Sequence, residues 1–284
     1  MSNELSNNDD NIQKNFSADC EKCFGLCCVA LPYAKSADFA FNKDGGAPCQ
    51  NLNADYRCGI HKNLINSGLR GCTVYDCFGA GQKISQVTYN GKSWRDNPAI
   101  AEEMFNIFPI MQQLYEMLYY LNEALSLEEA QSIYTDLQKA MAKTEQLTDQ
   151  DPKSLIDLHV PTHRALVNDL LLQTSELVRE KVKKNIEHSK YSKKIKQKDL
   201  IGANLRGANL RGANLRGVLL IAADLREADM RMTDLIGADF RDADLSGANL
   251  EGSIFLTQAQ LNSAKGNCKT KLPPSLSIPN HWLN

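Results

Sequence analysis

The chain has 284 residues, 43% of them hydrophobic, and 32 Lys and Arg against 34 Asp and Glu leave a net charge of −2. That is room for two or three domains with real cores, and it shows no bias toward nucleic acid or a membrane surface. No apolar run approaches the roughly 20 residues of a membrane-spanning helix, and the polar opening Met1–Asn15 lacks the apolar stretch of a secretory signal.

In chain order, residues 1–16 read as a disordered lead-in and residues 17–95 as a cysteine-rich module. Eight of the nine cysteines fall between Cys20 and Cys77, and Cys268 stands apart as a bystander. The spacing is C-x2-C-x3-CC (Cys20, Cys23, Cys27, Cys28), then Cys49, then Cys58 with His61, then Cys72 and Cys77. A Cys-x2-Cys pair turns both sulfurs onto one ion, and thiolate donors favour zinc, iron or an iron–sulfur cluster. In a cytoplasm, where thiols stay reduced, such clustering points to metal rather than to disulfides. Eight thiolates exceed the four of one tetrahedral ion, so two metals, or a cluster with spare ligands, are implied. Adjacent Cys27 and Cys28 either serve two ions or face opposite sides of one cluster. His61 is a further candidate ligand or an ordinary polar residue. The Gly-Pro-rich backbone around Pro32, Gly45-Gly46 and Pro48 predicts an irregular module that needs a staple. Phe78-Gly-Ala-Gly-Gln82 reads as a turn after the last ligand.

Residues 96–197 predict a helical segment and linker. Asn97-Pro98 starts the first helix, with Met104, Phe105, Phe108, Met111, Leu114, Tyr115, Leu118 and Leu121 at helical spacing and Pro109 as a candidate kink. Ser126 with Glu129 suggests a capping box for a second helix to about Leu147. Asp151-Pro152 breaks the chain, and a third helix is predicted from about Thr162 to Asn185 with Leu166, Leu170, Leu177 and Val178 on one side. His159 and His163 straddle Pro161, which argues against a shared metal. The basic run Lys181, Lys183, Lys184, Lys190, Lys193, Lys194, Lys196, Lys198 lacks interleaved aromatics beyond Tyr191, so nucleic acid is not the expected partner.

Residues 198–257 are twelve units of five in unbroken register. The unit centres are Leu200, Leu205, Leu210, Leu215, Leu220, Leu225, Met230, Leu235, Phe240, Leu245, Leu250 and Phe255, with a small residue two positions earlier in most units. Positions two apart on extended backbone share a face, so both point inward, and the Arg-Gly-type pairs suit corners. One side and one corner per unit closes a coil after four units. Residues twenty apart then stack, and three coils stand about 14 Å tall at the usual strand spacing. Leu219 sits where Asp or Asn is usual, near Ile201 and Ile221, and the three form an outward aliphatic patch that reads as a docking face. The helical segment or the linker is expected to cover it. Residues 258–284 are expected to cap the open end, with Trp282 packing back.

These units resemble the pentapeptide-repeat family, which implies a right-handed four-sided β-helix. Cys20, Cys23, Cys27 and Cys28, followed by Cys49, Cys58-Gly59-Ile60-His61, Cys72 and Cys77, resemble a bacterial CxxCxxxCC family of zinc- or iron-chelating proteins. A relative of that family forms part of an iron–sulfur flagellin lysine methylase.

The expected fold is therefore mixed and multi-part: a metal-stapled cysteine module, an α-helical middle and a C-terminal β-helix. The expected function is cytoplasmic metal binding, by zinc or an iron–sulfur cluster, joined to an interaction platform for a protein partner, with a homodimer also open to it. The rival is a cluster-dependent redox or protein-modifying enzyme. A third reading follows from those pentapeptide-repeat proteins that mimic DNA and protect gyrase. Seven basic against nine acidic side chains in the sixty repeat residues make a poor acidic rod.

Overall fold

A computed structural model describes residues 16–180, 182, 192–196 and 198–283. The proposed lead-in, apart from Phe16, and four of the eight lysines of the basic run (Lys181, Lys183, Lys184 and Lys190) lie outside the described residues. The chain divides into two compact units. One is Met1–Ser126 with Tyr134–Leu170, and the other is Leu127–Ile133 with Leu171–Asn284.

In the first unit the cysteine module has little regular structure. It holds a short helix α1 (Leu26–Ala30), 3-10 turns at His61–Asn63 and Arg70–Val74, and α2 (Ala80–Gln82), which runs into a π-helical stretch Lys83–Thr88. The sequence led us to expect a module too poor in apolar residues to hold together without a staple. It does have a core: Leu26, Val29, Leu69, Phe78, Ile84 and Trp94 are buried. Trp94 stacks edge-on against Tyr56 and Phe105, and its indole N–H donates to the Phe24 carbonyl at 2.8 Å. Phe105 belongs to α3 (Ala101–Ser126), so this aromatic cluster also ties the module to the first long helix.

Helix α3 buries Met104, Phe108, Met111, Leu114, Leu118 and Leu121 of the predicted stripe; the predicted Phe105 and Tyr115 are half-buried, and Ile107 joins the buried face. It runs on through Pro109. Two expected start signals are not used as caps. Asn97 makes no side-chain cap, and a 3-10 turn Pro98–Ile100 opens the helix instead. Ser126 closes α3, its hydroxyl donating to the Glu123 carbonyl, and a 3-10 turn Glu128–Ile133 precedes α4 (Tyr134–Thr148). A serine at a helix end can bond backward as readily as forward. Asp151 caps α5 (Pro152–Ile156) by accepting from the amides of Lys153 and Ser154. The third predicted helix is α6, Val160–Arg179. Its buried stripe is Val160, Val167, Leu171 and Val178, whereas Leu166 is 63% exposed. Of the predicted side, Val178 is buried and Leu170 and Leu177 are half-buried, so only Leu166 falls on the exposed face.

In the second unit residues 198–257 wind into a coil that repeats every twenty residues. Parallel bridges join Asn204 to Asp224, Asn209 to Asp229, Asn214 to Asp234, and so on up the coil. They are single-residue bridges, so the continuous strands expected of a β-helix are not present. Each five-residue side is too short to pair more than one residue before the next corner. The ladders Leu205/Leu225/Leu245 and Leu210/Met230/Leu250 are fully buried. The fifth residue of most units has positive φ, including the non-glycine residues Ala222, Glu227, Met232 and Asp242. One role of the Asn or Asp position escaped the sequence reading. Its side chain accepts the amide two residues on, as Asn204 does from Arg206 and Asp244 from Ser246, and this locks the corner.

Both ends of the coil are closed. At the start, Ile195 of α7 (Ser192–Lys196) joins the coil's core. There too the buried Arg179 donates to the Gly212 carbonyl at 3.3 Å and ion-pairs with Glu176. A Cβ on Gly212 would sit 2.4 Å from the Val182 side chain, and its φ is +72°, so glycine is required at this close approach. At the far end Thr257 and Gln260 form a capping box on α8 (Gln258–Ser263). Lys265 and Lys271 extend the ladder beside Asp244 and Asn249, and Trp282 is buried over the core. Ile201 and Leu219 are 53% and 40% exposed, and most of the linker expected to cover the patch lies outside the described residues.

Asp234 is fully buried and its carboxylate meets Arg216 at 3.0 Å, whereas the Arg206–Glu227 pair is exposed on both sides. Removing one partner of a buried pair strands the other charge and costs about 3–5 kcal/mol. Arg216→Met is therefore expected to lower the repeat's denaturation midpoint clearly and Arg206→Met to leave it in place. Urea unfolding followed by circular dichroism checks the pair of variants.

Candidate metal centre

The cysteine module places its thiols by cross-links between its beginning and its end. Residues 17–24 lie along residues 82–86. The Asp19 amide donates to Gln82 Oε1 at 2.9 Å, and the Gln82 side-chain amide returns a bond to the Ser17 carbonyl at 2.8 Å. Phe24 N–H meets Ser85 Oγ at 3.1 Å, and Gln86 Nε2 donates to the Lys22 carbonyl at 2.7 Å. This zipper sets Cys20 and Cys23 beside the turn that carries Cys77. The glycine-rich Phe78–Gln82 stretch is that turn, and it is more than a turn. A Cβ on Gly81 would lie 2.6 Å from Cys23 Sγ and 3.8 Å from Cys77 Sγ, so only glycine lets the two sulfurs approach one point.

A second neighbourhood forms around Cys49. Its amide donates to the Cys28 carbonyl at 2.8 Å, and its sulfur lies 3.4 Å from the Tyr33 hydroxyl. Leu52 pairs with Cys58 in an antiparallel bridge, which brings Cys58 back toward Cys49. Asp38 accepts the amide of Gly71, next to Cys72, and the Phe39 ring stacks on Tyr33 at 4.3 Å. Cys72 is thereby held on the Tyr33 side of the module. The sulfurs of Cys27 and Cys28 are 3.9 Å apart at the junction of the two neighbourhoods. His61 is exposed in the 3-10 turn after Cys58. Cys268 is exposed, far along the chain in the other unit.

All nine cysteines are free of disulfides. Burial pushes the Cys23 thiol up to about 11. Burial does the same to Cys72, to about 11, with the nearby charges of Cys28, Cys49 and Cys58 acting in the same direction. Cys27 is raised chiefly by its hydrogen bond to Cys28, and that bond, aided by the Lys43 charge, lowers Cys28. Lys43 is buried, with its ammonium donating to the carbonyls of Val29, Leu31 and Asp44 at 3.0, 2.6 and 3.0 Å. It supplies the only kind of charge that offsets thiolates here. Tyr33, Lys43 and Tyr75 have no motif to mark them, and sequence reasoning passed over all three.

The residues suit a thiophilic metal by donor chemistry, and an orphaned polar atom points the same way. The Tyr75 hydroxyl is buried without a hydrogen-bond partner among the described residues, within the field of Cys77, Cys27 and Cys23. The geometry is that of gathered thiols rather than a closed coordination shell. Among the described residues no three His, Cys, Asp or Glu side chains already converge on one metal position.

With the coil and this module described, comparison with known proteins can be made. Residues 199–235 and 219–255 match the family description "Pentapeptide repeats (8 copies)", so the coil is built of pentapeptide repeats. The chain is 60% identical over 274 residues to "Uncharacterized protein YybG" of Bacillus subtilis (strain 168), across 96% of this chain and 97% of that one, and it belongs to that protein's family. Among solved structures, a pentapeptide repeat protein from the Arabidopsis thaliana thylakoid lumen matches at 27% identity. That match covers 28% of this chain and 57% of the other, with a TM-score of 0.15. No described helix is long and apolar enough to cross a membrane.

Only the thiolate alkylates, so a lowered pKa brings reaction at lower pH and a raised one delays it. In the reduced, metal-free chain Cys28 is expected to label with iodoacetamide at a pH below that needed for Cys23 and Cys72, which wait until the pH nears about 11. Peptide mass spectrometry across a pH series reads the order, and a common onset for all three contradicts it.

Proposed function

We propose that this protein binds a thiophilic metal, zinc or an iron–sulfur cluster, in its cysteine module and presents its pentapeptide repeat to a protein partner. The gathering of eight unbridged thiols within one module carries the reading. Thiols held protonated by burial do little for packing beyond what alanine or serine would do. A metal removes their protons and turns the same burial into coordination. The donor residues are Cys20, Cys23, Cys27, Cys28, Cys49, Cys58, Cys72 and Cys77, with His61 at the margin. The likeness of Cys20 to Cys28 to the CxxCxxxCC family supports the same chemistry, and reduced thiols suit a cytoplasmic location.

On the repeat, the twenty-residue stacking suits the right-handed four-sided β-helix of the pentapeptide-repeat class. Ile201 and Leu219, with Ile221 stacked beside them, offer an apolar docking patch to a partner. Acidic residues of the coil are spent on local pairs, Asp224 with Arg226, Asp229 with Arg231 and Asp239 with Arg241. That favours protein docking over mimicry of a polyanion.

Purification without oxygen tests the metal reading. The expected result is bound zinc, or bound iron with labile sulfide and a brown colour, and a chelator should loosen the module. A colourless protein that carries neither metal, and whose fold ignores the chelator, would falsify it.

A further inference from the structure

We infer that the eight clustered cysteines make two separate four-sulfur sites, Cys20/Cys23/Cys27/Cys77 and Cys28/Cys49/Cys58/Cys72, each taking its own thiophilic metal. This rests on the metal-binding reading above and adds to it the number of sites and the ligands of each.

The backbone sorts the cysteines before any metal is considered. The zipper of residues 17–24 along 82–86 brings Cys20 and Cys23 to Cys77, and Gly81 leaves room for the Cys23 and Cys77 sulfurs at one point. The bond from the Cys49 amide to the Cys28 carbonyl and the Leu52–Cys58 bridge assemble the other group, with Cys72 held through the Phe39–Tyr33 stack. Cys27 and Cys28 are the dividing point. They are consecutive residues of α1 (Leu26–Ala30), and successive helical positions point about 100° apart. One of the two can therefore serve each side, with the 3.9 Å between their sulfurs setting the sites next to each other.

Each group also has its own tyrosine. The Tyr33 hydroxyl lies against Cys49 Sγ at 3.4 Å, and the buried Tyr75 hydroxyl lacks a partner among the described residues and sits in the field of Cys77, Cys27 and Cys23. A hydroxyl that donates to a coordinated thiolate is the kind of outer contact that stabilises metal–sulfur sites. Four thiolates satisfy one tetrahedral ion, and each group has four.

The test uses the full chain, reduced and stripped of metal, loaded with cadmium-113 without oxygen. The wild type is expected to bind two cadmium ions and to give two resonances in the thiolate region. Cys20→Ser should erase one resonance and Cys72→Ser the other, with the second signal kept in each case. A single resonance from the wild type, or loss of the same signal in both variants, overturns the division and leaves the metal-binding reading in place. No cadmium uptake by the wild type overturns both. The wild-type count needs no variant to fold, and cobalt(II) titration of the wild type, read by thiolate-to-metal absorption, gives an independent endpoint at two equivalents.

Discussion

Buried backbone amides and carbonyls must find partners, and among the described residues neither unit has continuous strands to provide them. The coil meets the demand by repetition. Leu205 donates to the Asp224 carbonyl and Asp224 to the Ala203 carbonyl, and the same exchange recurs every twenty residues. The corners are closed by Asn and Asp side chains. The cysteine module meets it with side chains instead: the Lys43 ammonium on three carbonyls, the Trp94 indole on Phe24, and Arg95 on Asn53 and Ala54. All but the bond to Asp44 join segments well separated in sequence.

The same demand explains the ends of the coil. An uncapped turn would expose apolar ladders and unpaired amides together. Arg179 and Ile195 close one end, and the Gln258–Ser263 helix with Trp282 closes the other. Gln260 does two jobs there: it completes the capping box and donates to the carbonyls of Leu235 and Ala238. Within the coil, charge is balanced side by side, which leaves the uncharged Ile201 and Leu219 as the part of the wall most changed from the repeat pattern.

In the cysteine module, electrostatics and packing pull against each other. Burial raises most of the thiols, while Lys43 and the Cys27–Cys28 bond favour a thiolate at Cys28. Lys43 thus sits as a buried cation among gathered sulfurs whose protonation the fold sets unequally. The aromatic cluster of Phe24, Tyr56, Trp94 and Phe105 gives the module a packed frame.

The repeat was legible from the sequence because its period is local: five residues define a side, and stacking at twenty follows by counting. The stripe of α3 was legible for the same reason. The division of helix starts was not, since Ser126 and Asn97 have several backbone partners within reach and only the surrounding packing chooses among them. The buried face of α6 was legible in part: Val178 is buried, but Leu166 falls on the exposed face. The sequence by itself determined the clustering of the cysteines, the ladders of the coil and the need for caps. Only the tertiary structure decided which sulfurs share a neighbourhood, why Gly81 and Gly212 must lack a side chain, and that Lys43, Tyr33 and Tyr75 attend the thiols. Those facts depend on contacts between segments distant in the chain, and no local period or spacing encodes them.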